Sequence, residues 1–405
     1  MKKWLCILFL IVFGFSCKTN YNLSTVNLSN IYSKKNNNLF PEYYIHHVND
    51  TTSTIFYQIR SSQLLKQSGR TSVSIKYILY DSFESSTAID SNKIFIADTL
   101  DESDLIVGKL TISNTTKKKY LLKINCTDLS GNRNNVQFLS IDKTSKYNSQ
   151  NYLASNFELP LFGNYIKTDT TKIELENKTL ILNFYQFNPP LPPPPFSVSQ
   201  ALPFDQEPSE ILYFNSDNGI FNIPTFKNGI YFFTTEEQQE EGLTLIKYGK
   251  DFPSITSIES VIEPMRFITS KKEYSHLSES TDSLRIRFET FWLEKTSNVE
   301  EARSLIATYY KRIEQSNLLF SSYIPGWKTD RGIIYLIFGP PNIIKKSSTK
   351  EVWTYGEEKN YLSVNFVFNQ RLSKFSDNHY ILNRSSVYKT HWYRAVDNWR
   401  QGKVQ

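Results

Sequence analysis

The stretch VEEARSLIATYYKRIEQSNLLF (299–320), continued after a short polar break by PGWKTDRGIIYLIFGPP (325–341), decides how the C-terminal part of this chain is read. In its first half Val299, Ala302, Ile306, Tyr309 or Tyr310, Ile313, Asn317 and Phe320 recur at spacings of three and four, which predicts one helix with a single apolar face. Asn298 with Glu301, or Ser297 with Glu300, supplies a capping box, and Lys311 and Arg312 sit toward the favourable C-terminal end of the helix dipole. In the second half Gly326 supplies a turn and Trp327 a large apolar face. Thr329 caps the next segment, and Asp330 either accepts free N–H groups there or pairs with Arg331. Ile333 to Phe338 is apolar throughout and fits either a short helix or a buried strand; Gly339-Pro340-Pro341 stops both.

Working outward, Ser283 to Leu293 also reads as helical, and Leu362 to Phe368 alternates like a strand. Trp392, Val396 and Trp399 fall on one side of a terminal helix, packed on its own domain or used for docking. Gly326-Trp327-x-Thr329-Asp330 resembles the signature of the GWxTD-domain proteins, a family of bacterial envelope proteins. The similarity continues through Phe291-Trp292, Arg312, Asn317 to Phe320, Arg331-Gly332, Gly339-x-Pro341 and Glu351-Val352-Trp353-x-Tyr355, and covers roughly residues 150–395. The resemblance implies β-rich N-terminal modules, a C-terminal α+β domain and a cell-envelope location, with no established activity. In pattern alone, the segment from Thr329 to Phe368 is also similar to the small lipoprotein subunit of the outer-membrane β-barrel assembly machine.

Upstream the chain changes character. Seven β-type segments occur between residues 41 and 148, at 43–48, 54–60, 73–80, 94–98, 105–112, 120–127 and 136–141, which suggests an immunoglobulin-like β-sandwich. A second β-rich domain is expected over 149–265, with strands near 162–167, 171–176, 180–187, 210–215, 219–223, 229–234 and 243–247, and the α+β domain over 266–405. Directly after the strand at 180–187 runs Asn188-Pro189-Pro190-Leu191-Pro192-Pro193-Pro194-Pro195-Phe196, a stiff polyproline segment read as a connector anchored by Phe187 and Phe196 rather than as a partner's ligand.

The N-terminus carries a secretory signal over 1–16: Lys2 and Lys3, then the apolar run Trp4 to Phe15, shorter than a membrane span. Gly14-Phe15-Ser16-Cys17 resembles a lipobox, which implies acylation of Cys17 and a lipid-anchored polar tether over 17–40, facing the periplasm. With Cys6 removed and Cys17 acylated, Cys126 has no disulfide partner, and its place in the alternation Tyr120, Leu122, Ile124, Cys126 makes it a small buried residue.

Composition excludes several classes. Apolar residues make up 40% and aromatic residues 15% of the 405, too many for a disordered chain. Loss of Lys2 and Lys3 takes the net charge from +6 to +4, with no clustered basic run, so nucleic acid is not an expected partner. His46, His47, His276, His379 and His391 are scattered without ligand spacing, and no cofactor or metal motif occurs. The expectation is a non-enzymatic envelope lipoprotein that acts as a scaffold toward other envelope proteins, in an outer-membrane or secretion-associated assembly. Against it stands an envelope hydrolase using Asp330, Glu351 or Glu294 as general acid or base. The motif residues Gly326, Trp327, Thr329, Asp330, Arg331, Gly332, Gly339, Pro341, Trp353 and Tyr355 are expected to act together, in structure or in interaction.

Overall fold

The structure, a computed structural model, describes residues 23–24, 26–32, 39–97, 104–113, 118–156, 159–186, 188–199, 204, 206–279 and 283–404. The signal segment, Cys17 and Phe187 lie outside the described residues. The chain is β-rich in its first part, with helices gathered toward the C-terminus.

The first seven strands are β1 (Glu42–His47), β2 (Ser53–Arg60), β3 (Ser72–Tyr80), β4 (Asp90–Ala97), β5 (Leu105–Ile112), β6 (Lys119–Asp128) and β7 (Arg133–Asp142). They form two antiparallel sheets, β1-β2-β5 and β4-β3-β6-β7, around one apolar core. The alternation in β6 drives this packing: Tyr120, Leu122, Ile124 and Cys126 all face the core, and burial pushes the Cys126 thiol up to about 12. At the end of β6 the buried Asp128 accepts the amides of Leu65 and Gly131 and pairs with Arg133 at 2.7 Å, which fixes the turn into β7.

Eight further strands follow: β8 (Leu153–Asn156), β9 (Leu159–Pro160), β10 (Thr170–Glu174), β11 (Thr179–Tyr185), β12 (Glu210–Asn215), β13 (Ile220–Pro224), β14 (Gly229–Thr234) and β15 (Leu243–Lys247). They make the sheets β13-β10-β8-β9 and β12-β11-β14-β15, with a second core between them. The strand expected near 162–167 does not form. Gly163 turns the chain there with positive φ, and only Tyr165 makes an isolated bridge to Ile246. β14 and β15 are buried at every position because their half of the second sheet is covered on both faces. Ile230, Phe232 and Ile246 on its outer face pack with Tyr323 and Phe375 from the C-terminal part. That double cover explains why Gly229 to Phe233 is a continuous apolar run instead of an alternation.

The C-terminal part contains α1 (Ile258–Ile262), α2 (Lys271–Ser278), α3 (Leu284–Leu293), α4 (Val299–Phe320), α5 (Asp330–Phe338), the antiparallel sheet of β16 (Ile343–Lys346), β17 (Lys350–Tyr355), β18 (Val364–Gln370) and β19 (Tyr380–Leu382), and α6 (Tyr388–Arg400). The run that period alone leaves ambiguous is the helix α5, apolar all round and enclosed on all sides by one large core. Asn298 caps α4 through the Glu301 amide. Val299, expected on the apolar face, is exposed, whereas Arg312 is buried against the last carbonyls of α5 rather than serving the end of its own helix. Trp392, Val396 and Trp399 of α6 are all buried in the domain's own core. The polyproline segment packs internally too: Arg384 donates at 2.6 Å to the carbonyls of Pro193 and Pro194, and Phe196 lies against Tyr393.

The tether expected over 17–40 is corrected in its described part. Ser24, Asn27 and Leu28 bond to β16 and the residue before it, with the Leu28 amide donating to Ile344 O at 2.9 Å and the Ser24 amide to Lys346 O at 2.7 Å. Polar composition suggested a free segment, but Leu28 and Tyr32 supply buried apolar contacts and the Asn and Ser side chains bond to a sheet edge.

Candidate functional site

The motif begins at the turn Gly326–Lys328, which lies at backbone distance from both α4 and α5. A Cβ on Gly326 would lie 1.8 Å from Ser316 O, and one on Gly332 would lie 1.9 Å from Gly326 O, so both positions need hydrogen in place of a side chain. Asn317 stitches the junction, accepting the Trp327 amide at 3.2 Å and donating to Pro253 O at 2.7 Å. Trp327 itself is buried, edge-on to Phe267. Thr329 Oγ1 donates to Gly326 O and accepts the Gly332 amide at 3.0 Å, the cap expected of it.

Asp330 and Arg331 point to opposite partners and do not pair with each other, the alternative that their adjacency allowed. Asp330 accepts the Leu382 amide at 2.8 Å and pairs with Arg384, whose other nitrogen holds the polyproline carbonyls. Burial pushes its carboxyl up from the ordinary value, opposed by Arg384 and the Leu382 amide. Arg331 lies over the Tyr380 ring, donates to Asn378 O at 2.8 Å and pairs with Glu351 at 3.1 Å. Glu351 is fully enclosed and also takes Lys346 Nζ at 2.5 Å and the Trp353 indole N–H at 3.0 Å. Burial opposes its charge, but Lys346 and Arg331 outweigh it and hold the carboxyl at about 2.

The far end of α5 is closed in the same manner. Gly339 turns with φ +80° over the Arg312 guanidinium, Trp399 donates its indole N–H to Ile337 O at 3.0 Å, and Tyr355 donates to Gly339 O at 2.7 Å beside the buried Pro341. Every motif residue from Gly326 to Tyr355 is therefore built around one short helix and its flanking sheet. Residues 229–401 match the family model of the GWxTD domain. The chain carries a GWxTD domain. No curated protein matches the chain. Among solved structures, a red sea bream transglutaminase is similar at 8% identity and a TM-score of 0.20, covering 52% of this chain and 31% of that one; a likeness so low carries no argument. The match begins at Gly229, upstream of the boundary expected at 266, and so takes in β14 and β15, whose outer face packs on the C-terminal part.

Within the GWxTD domain, Glu294 stays at the surface beside Lys295, apart from the enclosed Asp330 and Glu351. Arg384, Asn378 and Tyr32 complete the buried network, yet nothing in their local sequence marks them, since each is paired across a long stretch of chain; Lys346 joins it as the residue opposite Glu351 in the β16–β17 pair. A cleft of about 390 Å³ opens beside the motif, lined in part by Pro189, Tyr248, Phe252, Trp327 and Lys328. Lys328 crosses it to Glu263 at 2.6 Å and to Pro189 O at 3.4 Å. His379 lies against Tyr323, its imidazole lowered to about 4 by burial and by Arg331 and Arg371. Among the described residues no group of three or more His, Cys, Asp or Glu side chains is placed to hold a metal ion, and no helix is long and apolar enough to cross a membrane.

Proposed function

We propose that this GWxTD-domain protein is a non-enzymatic scaffold of the bacterial cell envelope, anchored by a lipid on Cys17, facing the periplasm and binding other envelope proteins. The observation that carries this reading is the internal use of the motif: Asp330, Arg331 and Glu351 are enclosed and paired with the polyproline clamp, β19 and β17. A general acid or base needs a substrate proton within hydrogen-bond reach, and carboxylates so engaged offer little to a substrate. Trp327, Gly326 and Gly332 likewise do packing work that their residue types explain.

In this reading the first module is immunoglobulin-like. Its three-stranded sheet β1-β2-β5 facing the four-stranded β4-β3-β6-β7 supports that assignment, and such modules space and orient other domains. Acylation of Cys17 is supported by the n-region, the h-region and the lipobox resemblance. Only seven positions separate Cys17 from Ser24, a reach of at most about 25 Å for extended chain. The anchor would then hold the GWxTD domain near the bilayer surface.

Two measurements test the proposal. Cys17→Ser should move the protein out of the membrane fraction; retention there would mean another anchor. Crosslinking in intact cells should capture envelope proteins with the native chain, and Asp330→Ala should lose capture only as far as it loses folding. A folded Asp330→Ala chain that keeps its partners yet loses function would favour the hydrolase.

A further inference from the structure

β16 is the edge strand of the C-terminal sheet, and its outward backbone groups are taken up by Ser24, Asn27 and Leu28. Leu28 and Ser24 donate their amides to Ile344 O and Lys346 O. In return the Ile344 amide donates to Asn27 Oδ1 at 3.0 Å and the Lys346 amide to Ser24 Oγ at 3.1 Å. Asn27 also donates to Asn342 O at 3.0 Å. Four residues beyond Leu28, Tyr32 drops into a pocket: its ring meets Phe320 edge-on at 5.0 Å and Trp353 at 5.4 Å, and its hydroxyl lies 3.4 Å from Glu351 Oε2. Its carbonyl accepts the Tyr335 hydroxyl at 3.3 Å.

Backbone pairing along an open edge, with one anchoring side chain in a pocket, is how sheet edges take extended peptides. The contributing chain here comes from about 200 residues before the matched domain begins, so the domain's own sequence leaves the groove unfilled. We propose that the β16 edge and the Phe320–Trp353–Glu351 pocket form a peptide-binding groove whose resident ligand is the N-terminal segment that contributes Ser24, Asn27, Leu28 and Tyr32. The aromatic hydroxyl reads the buried carboxylate, and Asn27 reads the edge amide. Because this segment directly follows the proposed anchor, it is a strap that docks the GWxTD domain against the membrane-proximal end of the chain.

The test uses the full chain. In Tyr32→Ala, hydrogen exchange at the Ile344 and Lys346 amides should accelerate roughly a hundredfold, the scale of a lost buried aromatic. A synthetic peptide of residues 23–32 should bind that variant and restore the protection, while the same peptide carrying alanine at 32 should not, and the native chain, already occupied, should take up neither. Unchanged exchange in Tyr32→Ala, or opened amides that the peptide fails to protect again, would overturn the proposal. Should alanine at 32 unfold the domain, Asn27→Ala removes two edge contacts and leaves the pocket filled, and exchange at the Lys346 amide, which Ser24 and not Asn27 covers, should still accelerate; no change there would overturn the proposal.

Discussion

Replacing Glu351 by Gln keeps the shape of the side chain and removes a charge that Arg331 and Lys346 both face. Two routes give the size of the effect. A buried pair broken on one side ordinarily costs about 3–5 kcal/mol, because the partner charge is left enclosed. Independently, a carboxyl held at about 2 in the fold against an ordinary 4.5 contributes about 3 kcal/mol at neutral pH. The pKa is depressed, so this contribution is complete above pH 4.5 and disappears as the pH falls toward 2. The assay is built into the sequence: Trp4 lies outside the described residues, and Trp292, Trp327, Trp353, Trp392 and Trp399 all belong to the C-terminal core. Urea unfolding followed by tryptophan fluorescence therefore reports on that core and not on the β-rich modules. At pH 7 the Glu351→Gln midpoint should fall by about 1 M, taking roughly 3 kcal/mol over a slope of 2–3 kcal/mol per molar. Between pH 5 and pH 2 the native chain should lose this advantage and converge on the variant. Equal midpoints at pH 7, or parallel losses of stability in acid, would refute the account of Glu351 as a buried, charge-compensated strut.

Gly332→Ala should destabilise the same core by several kcal/mol in that assay, because its methyl would sit 1.9 Å from a backbone oxygen that cannot move without displacing the turn at Gly326. Arg384→Ala should leave Asp330 enclosed without its guanidinium and free the carbonyls of Pro193 and Pro194. Limited proteolysis should then cut near Phe196 to Ser199 at lower protease concentration than in the native chain. Unchanged cutting would mean that Phe196 against Tyr393 holds the segment by itself.

The periodic elements were legible in the sequence because each carries its own evidence. α4 is written in the spacing from Ala302 to Phe320 and in the Asn298 cap, and β6 in the alternation from Tyr120 to Cys126. The packing role of Cys126 and the cap at Thr329 follow from neighbours a few residues away, so local chemistry was enough. α5 was not decidable in that way. A segment buried on every side has no polar face to set its period, and its helical state rests on the core that surrounds it. The motif letters were visible, but their partners were not. Asp330 meets Arg384 across 54 positions, Arg331 meets Asn378 across 47, and Glu351 meets Tyr32 across 319, distances over which sequence carries no pairing signal. Composition even misdirected the reading of residues 23–32, since serine and asparagine suit a solvated tether as well as they suit bonding to an open strand edge. The sequence by itself determined the elements that carry their own period, such as α4 and β6. Only the folded chain decided which charges meet and what fills the groove at β16, because those choices are made by shape and burial between residues far apart in the chain.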